Sequence, residues 1–134
     1  PILQIGMNYT LVVDILNKKK WVTLGERLVP KDPWYESAGY VKELDKKKQD
    51  IMGLLEITYN LPRYDELSGY IRPTIKAVDI NKRQLSFSIN NHINIEEGGA
   101  PSMIEILTSS WERALQFSEE FIENSLNSLT KGEQ

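Results

Sequence analysis

Residues 84–90 alternate without a break, with Leu85, Phe87 and Ile89 interleaved by Ser86, Ser88 and Asn90. A strict period of two is the mark of a strand with one face in a core and the other in water. An aliphatic stretch at residues 70–80 precedes it, and Asn81-Lys82-Arg83 lies between as turn material. The spacing predicts a β-hairpin with arms 70–80 and 84–95. This hairpin commits the chain to an antiparallel sheet, because two strands joined by so short a turn cannot lie parallel.

The hairpin ends at Gly98-Gly99-Ala100-Pro101. Ser102-Met103-Ile104-Glu105 then matches the capping box, in which the Ser oxygen accepts an N3 amide while the Glu reaches back. Ile104, Leu107, Trp111, Leu115, Ile122, Leu126 and Leu129 follow at helical spacing, and Lys131-Gly132 is a stop signal. A helix of about 29 residues is roughly 44 Å long. That is near or beyond the width of a small domain, so its far half is expected to extend past the sheet. Ser109-Ser110-Trp111-Glu112 forms a second capping box, which allows a break near Thr108.

Upstream, residues 2–16 read as a strand rich in aliphatic and β-branched residues, and residues 17–20 as a polar turn. Residues 21–29 read as a second strand with Gly25 as a bulge, closed by Pro30, Asp32 and Pro33. Residues 34–50 are a long polar loop with one helical stretch at 40–49. Residues 51–59 form a third strand and 60–68 a loop. The expected fold is α+β: a five-stranded antiparallel sheet, open or closed as an OB-type barrel, followed by a long C-terminal amphipathic helix. It is one domain, with a β-rich part at 1–95, a Gly/Pro hinge at 96–101 and the helix at 102–131. The first residue, Pro1, points to processing, excision from a longer chain or added leading residues. Met7 offers an alternative start that would make residues 1–6 a remnant; against that, Ile2, Leu3 and Ile5 continue the strand pattern.

Composition excludes more than it suggests. The 134 residues include no Cys and one His, His92, which removes disulfides, thiol catalysis and Cys- or His-rich metal centres. No apolar run approaches the ~20 residues of a membrane span, and no signal-peptide core is visible, so a cytoplasmic protein is expected, with an excised extracytoplasmic domain as the alternative. His92 sits beside Asn90, Asn91 and Asn94 at a strand end and reads as an exposed loop residue rather than a base. Asp65-Glu66 and Glu96-Glu97 are sequence neighbours whose side chains diverge, and Glu96-Glu97-Gly98-Gly99 lacks the spacing of a phosphate or calcium loop. No catalytic residue, metal ligand or cofactor is assigned, and a non-enzymatic protein is expected. A free Pro1 amine acting as general base, as in tautomerases, is the distant enzymatic alternative.

Residues 53–58 (Gly-Leu-Leu-Glu-Ile-Thr), then Gly69, then residues 78–89 (Val-Asp-Ile-Asn-Lys-Arg-Gln-Leu-Ser-Phe-Ser-Ile) resemble the second half of the S-one RNA-binding domain. That family has a Gly-Leu-Val-His-Ile-Ser strand, a glycine, and a hairpin reading Val-Asp, four turn residues, Arg-Ile-Ser-Leu-Ser. Glu56 stands where the family carries His. The resemblance implies an OB-type barrel, with residues 6–13 as first strand, 21–24 as part of the second, and an insertion at 30–50. It also implies single-stranded nucleic acid as a ligand, held by aromatic platforms in a basic groove. The candidates are Tyr9, Trp21 and Tyr59, with Trp34 and Tyr35, beside Lys18, Lys19, Lys20, Arg63, Arg72 and Lys76.

The overall charge of −3 divides unevenly. Residues 1–95 hold 14 Lys+Arg and 11 Asp+Glu, whereas residues 96–134 hold 2 and 8. The acidic helix is also apolar almost all round in its first half, more than a single core-facing stripe requires. This points to a protein partner or a second copy of the chain at Met103, Ile106, Trp111, Phe117 and Phe121. Glu119, Glu120 and Glu123 form a solvated face or meet a basic partner. The expected function is a binding or assembly module, with nucleic acid on the sheet and a protein on the helix. The alternative is an adaptor in a phage, transfer or secretion assembly with no nucleic-acid role.

Overall fold

The computed structural model describes residues 3–50, 52–95 and 99–131. Among these residues the elements run β1 (Leu3–Asp14), α1 (Lys18–Leu28), α2 (Asp32–Ser37), a 3-10 turn (Gly39–Glu43), α3 (Lys46–Gln49), β2 (Glu56–Thr58), β3 (Gly69–Asp79), β4 (Gln84–Ile95) and α4 (Gly99–Leu129). The strands form a four-stranded antiparallel sheet in the order β1-β4-β3-β2. The predicted hairpin is β3–β4, with Ile75 opposite Phe87 and Ile71 opposite Asn91. At its turn the Asp79 carboxylate accepts the Lys82 amide at 3.1 Å, and Arg83 takes a left-handed φ of 54°. The N-terminal strand returns to pair with β4 along its whole length, Leu3 opposite Ile95 through Asp14 opposite Gln84.

Alternation along β4 decides the layers. Leu85, Phe87, Ile89, Asn91, Ile93 and Ile95 are buried, and the residues between them are half-buried on the other face. The buried face carries α4, and Phe87, Ile89, Ile71 and Ile93 are almost fully enclosed. At about 1.5–3 kcal/mol for each large apolar side chain removed from water, these residues dominate the driving force for this layer pair. Ala114 and Ser118 are the small buried residues of α4, and the Ser118 hydroxyl donates to the Ala114 carbonyl at 2.9 Å, so the helix buries no unsatisfied hydroxyl there.

Three expectations are corrected. The sheet has four strands and is not closed, because residues 21–28 lie in a helix rather than a strand, with Val29 as its C-cap. Trp21, Leu24 and Leu28 recur at helical spacing, and Asn17 caps the helix by accepting the Lys20 amide at 3.1 Å. Leu24 is 3% exposed, so tertiary burial of this helical face outweighed the β-branched content of the segment. The third strand shrinks to Glu56–Thr58, while Met52 and Leu54 line a cavity that α1 also lines; Ile51 lies outside the described residues. The long polar segment is also mostly helical, as α2, the 3-10 turn and α3, with Asp45 capping α3 through the Lys48 amide.

The long C-terminal helix forms without a break near Thr108. It begins at Gly99 with Pro101 in its first turn, a position where a missing N–H costs nothing, so Ser102 lies inside the helix rather than at its cap. Thr108 and Ser109 satisfy their hydroxyls on the helix itself, donating to the Ile104 and Ile106 carbonyls at 2.7 and 3.1 Å. Of the expected hinge, residues 96–98 lie outside the described residues. No helix among the described residues is long and apolar enough to cross a membrane.

Candidate partner-binding surface

The helical repeat of α4 carries one apolar stripe from Ile104 through Leu107, Trp111 and Leu115 to Ile122, Leu126 and Leu129. Its two halves meet different surroundings. Ile122 is 2% exposed, and Leu126 and Leu129 pack in the same cluster as Leu24, Trp21 and Leu28 of α1. The Arg27 guanidinium on α1 adds a hydrogen bond to the Ser128 carbonyl at 2.8 Å. In the first half the stripe has no such cover: Ile104 is 68% exposed, Trp111 53%, Leu115 41% and Leu107 39%. Helix α1 therefore covers one end of the stripe and leaves the other end bare.

The bare half borders strand β1, which is an edge of the sheet. Met7, Asn8 and Tyr9 face Trp111, Leu115 and Ala114 across a shallow cleft of about 40 Å³. Leu11, 40% exposed, lies on the same side of β1, since it pairs opposite the buried Phe87. A long edge strand of twelve residues normally needs protection against unwanted pairing. Along the stripe, Glu105, Glu112 and Glu119 recur every seventh residue and are exposed. Among the described residues the ion pairs are Lys46–Asp50 and Arg63–Asp65, so none of these glutamates is neutralised by a neighbour.

Of the expected partner-binding residues, Trp111 alone is exposed in this way. Met103 and Ile106 pack against the cluster of Ile5, Met7, Ile93 and Ile95. Phe117 and Phe121 pack against the other core cluster and against each other, ring centroids 5.8 Å apart. The other exposed large apolar residues of this helix half are Ile104, Leu107 and Leu115, which the sequence placed at helical spacing but not among the partner-binding candidates. The signal was present, since two apolar faces in one helix half cannot both meet a single sheet.

The residues expected to bind nucleic acid do not share one surface. Tyr9 lies on the helix side of β1 and Trp21 on the buried side of α1. Lys18, Lys19 and Lys20 form the first turn of α1, and Trp34 and Tyr35 lie on α2. Tyr59 stands at the sheet edge, 58% exposed. Arg63 is held inside by Asp65, its side chain 2% exposed. The uncovered sheet face carries Arg72 and Lys76 together with Tyr70 and His92. There the Arg72 guanidinium sits 3.7 Å over the Tyr70 ring, which stacks on His92 at 4.6 Å and 6°. His92 is thus a strand residue whose Nε2 lies 3.1 Å from the Asn94 amide oxygen.

Comparison with protein-family models, with curated proteins and with solved structures finds no match to this chain.

Proposed function

We propose that the chain is a non-enzymatic binding module that docks a basic amphipathic helix of a partner protein on the bare half of α4. The observation that carries this reading is the exposed stripe Ile104, Leu107, Trp111 and Leu115 flanked by unpaired glutamates. A partner helix laid there would do for the first half of α4 what α1 does for the second, burying the stripe with residues at helical spacing. Basic residues beside its apolar face would meet Glu105, Glu112 and Glu119. A second copy of α4 would instead set glutamates against glutamates, so charge complementarity favours a different chain. The same surface serves an adaptor in a larger assembly.

A synthetic Leu/Lys amphipathic helix should bind, with affinity falling as salt rises, and a Leu/Glu helix of the same apolar pattern should not. Trp111→Lys is expected to weaken binding by at least about 2 kcal/mol, as for an aromatic anchor. Equal binding of both peptides, or no effect of Trp111→Lys in folded protein, rejects this reading. Sedimentation showing a dimer that Trp111→Lys dissociates would give the surface to a second copy.

A second reading, single-stranded nucleic acid on the uncovered sheet face, is supported by the Arg72–Tyr70–His92 stack beside Lys76. It expects salt-sensitive binding of an RNA oligonucleotide, weakened several-fold by Arg72→Glu with Lys76→Glu. Absence of binding at low salt, where phosphate contacts are strongest, rules it out.

A further inference from the structure

A second concavity opens between α1, residues 52–55 and the turn of the β3–β4 hairpin. It encloses about 300 Å³, the lower end of the range for small-molecule sites. Leu24, Ile75 and Leu85 form part of its apolar lining. Val22, Leu55 and Ile80 also line it while remaining 45%, 62% and 44% exposed, so its mouth is apolar as well. No residue of α4 contributes to its lining. The cavity is therefore distinct from the partner-binding surface.

Its charged lining is unbalanced. Lys18, Lys31 and Arg83 stand around it with a single anion, Asp50. That carboxylate is held by the Lys46 ammonium at 2.6 Å, which, with smaller contributions from Lys18 and Lys31, lowers the Asp50 pKa and leaves it charged. Arg83 is anchored at the hairpin turn, its Nη1 donating to the Leu16 carbonyl at 3.2 Å. An apolar cavity with cations around it matches a molecule with an apolar body and one anionic end.

We propose that this cavity binds a single unbranched acyl chain ending in a carboxylate, with the chain against Leu24 and Leu85 and the carboxylate among Lys18, Lys31 and Arg83. At about 30 Å³ for each solvent-sized group, the volume takes roughly ten heavy atoms, a medium chain rather than a two-chain lipid. Gly25 supplies a direct test, because it lines the cavity and a Cβ built on it meets no atom within 4 Å. A larger side chain there fills the space without backbone strain and improves the helix propensity of α1.

The experiment is calorimetric titration of the protein with decanoate, decanol and decyltrimethylammonium below their micellar concentrations. Decanoate is expected to bind one to one, decanol at least about tenfold more weakly, and the cation more weakly still. Gly25→Leu should reduce decanoate affinity by at least about twentyfold while its thermal unfolding stays cooperative. Equal binding of decanol or of the cation overturns the proposal, as does unchanged decanoate affinity in Gly25→Leu. Should Gly25→Leu fail to fold, Lys18→Glu with Lys31→Glu on the surface of the same site decides. That variant is expected to lose decanoate selectivity over decanol, and retained selectivity overturns the proposal.

Discussion

Asp65→Asn is expected to destabilise the protein by about 1.5–3 kcal/mol, the scale of charge-assisted hydrogen bonds in a part-buried ion pair. The Arg63 side chain is 2% exposed and meets the carboxylate in a fork, Nε and Nη2 donating to Oδ1 and Oδ2 at 2.8 Å each. Its remaining nitrogen donates to the Asn91 amide oxygen and to the His92 carbonyl, fastening the 60–68 loop onto β4. Asn91, 1% exposed, donates in turn to the Tyr64 hydroxyl at 3.2 Å. The Tyr64 ring packs against Phe117 at 5.1 Å and lies 4.2 Å from the Arg113 guanidinium, so the network reaches α4. A neutral amide in place of Asp65 leaves the guanidinium buried without a counter-charge. Urea unfolding at pH 7 measures the loss.

The same pair predicts an acid limb. The Arg63 hydrogen bond is the main reason the Asp65 carboxyl is held below its ordinary value, and burial opposes that shift. The folded pKa is therefore lower than the unfolded one, and the unfolded chain binds the proton more readily. Asp65 contributes its full stabilisation above the unfolded value of about 3.9. That contribution is lost as pH falls through the folded value. Unfolding free energies of the wild type should decline in this range more steeply than those of Asp65→Asn. Parallel declines would show that Asp65 is not the group responsible.

Gly69→Ala is the second large effect. Gly69 opens β3 at φ 140°, a region that side chains rarely enter, and a Cβ there would lie 1.9 Å from the His92 carbonyl oxygen. The obstacle is backbone of the neighbouring strand, which cannot rotate away as a side chain would. Backbone strain of about 1–3 kcal/mol adds to an overpacking cost of similar size, so about 2–6 kcal/mol is expected. The damage should be local to the start of the β3–β4 ladder, where the Ser68 carbonyl accepts the Asn94 amide at 2.9 Å. Amide exchange should rise at Asn94 ahead of Leu85 and Phe87. A melting temperature equal to that of wild type would refute the steric argument.

Where the sequence pattern was strong and local, it was readable. The alternation of Leu85, Phe87 and Ile89 specified β4 and its buried face, because a strand has only two faces and one of them was polar. The long helix was legible from its apolar repeat and from the glycines ahead of it. Residues 21–29 were not, since Trp21, Val22, Leu24, Leu28 and Val29 satisfy a short strand and a short helix about equally well. The Asn17 cap was the discriminating signal, and the lysines after it read as turn. Arg63 shows the same limit for a charge: the chain names the cation, but its burial depends on Asn91, which lies 28 positions away.

For this protein, then, the sequence by itself determined an antiparallel hairpin, a long acidic helix with too much apolar surface for one sheet, and the absence of thiol chemistry. The tertiary structure alone decided that the sheet stays open at four strands and which residues of α4 remain bare. The reason is geometric. Helical periodicity fixes the angle at which Ile104, Trp111 and Ile122 project from the axis, but not what stands opposite that angle. Helix α1 stands opposite Ile122, and among the described residues nothing stands opposite Ile104 and Trp111 to the same extent. That difference comes from contacts between segments about a hundred residues apart, such as Arg27 with Ser128.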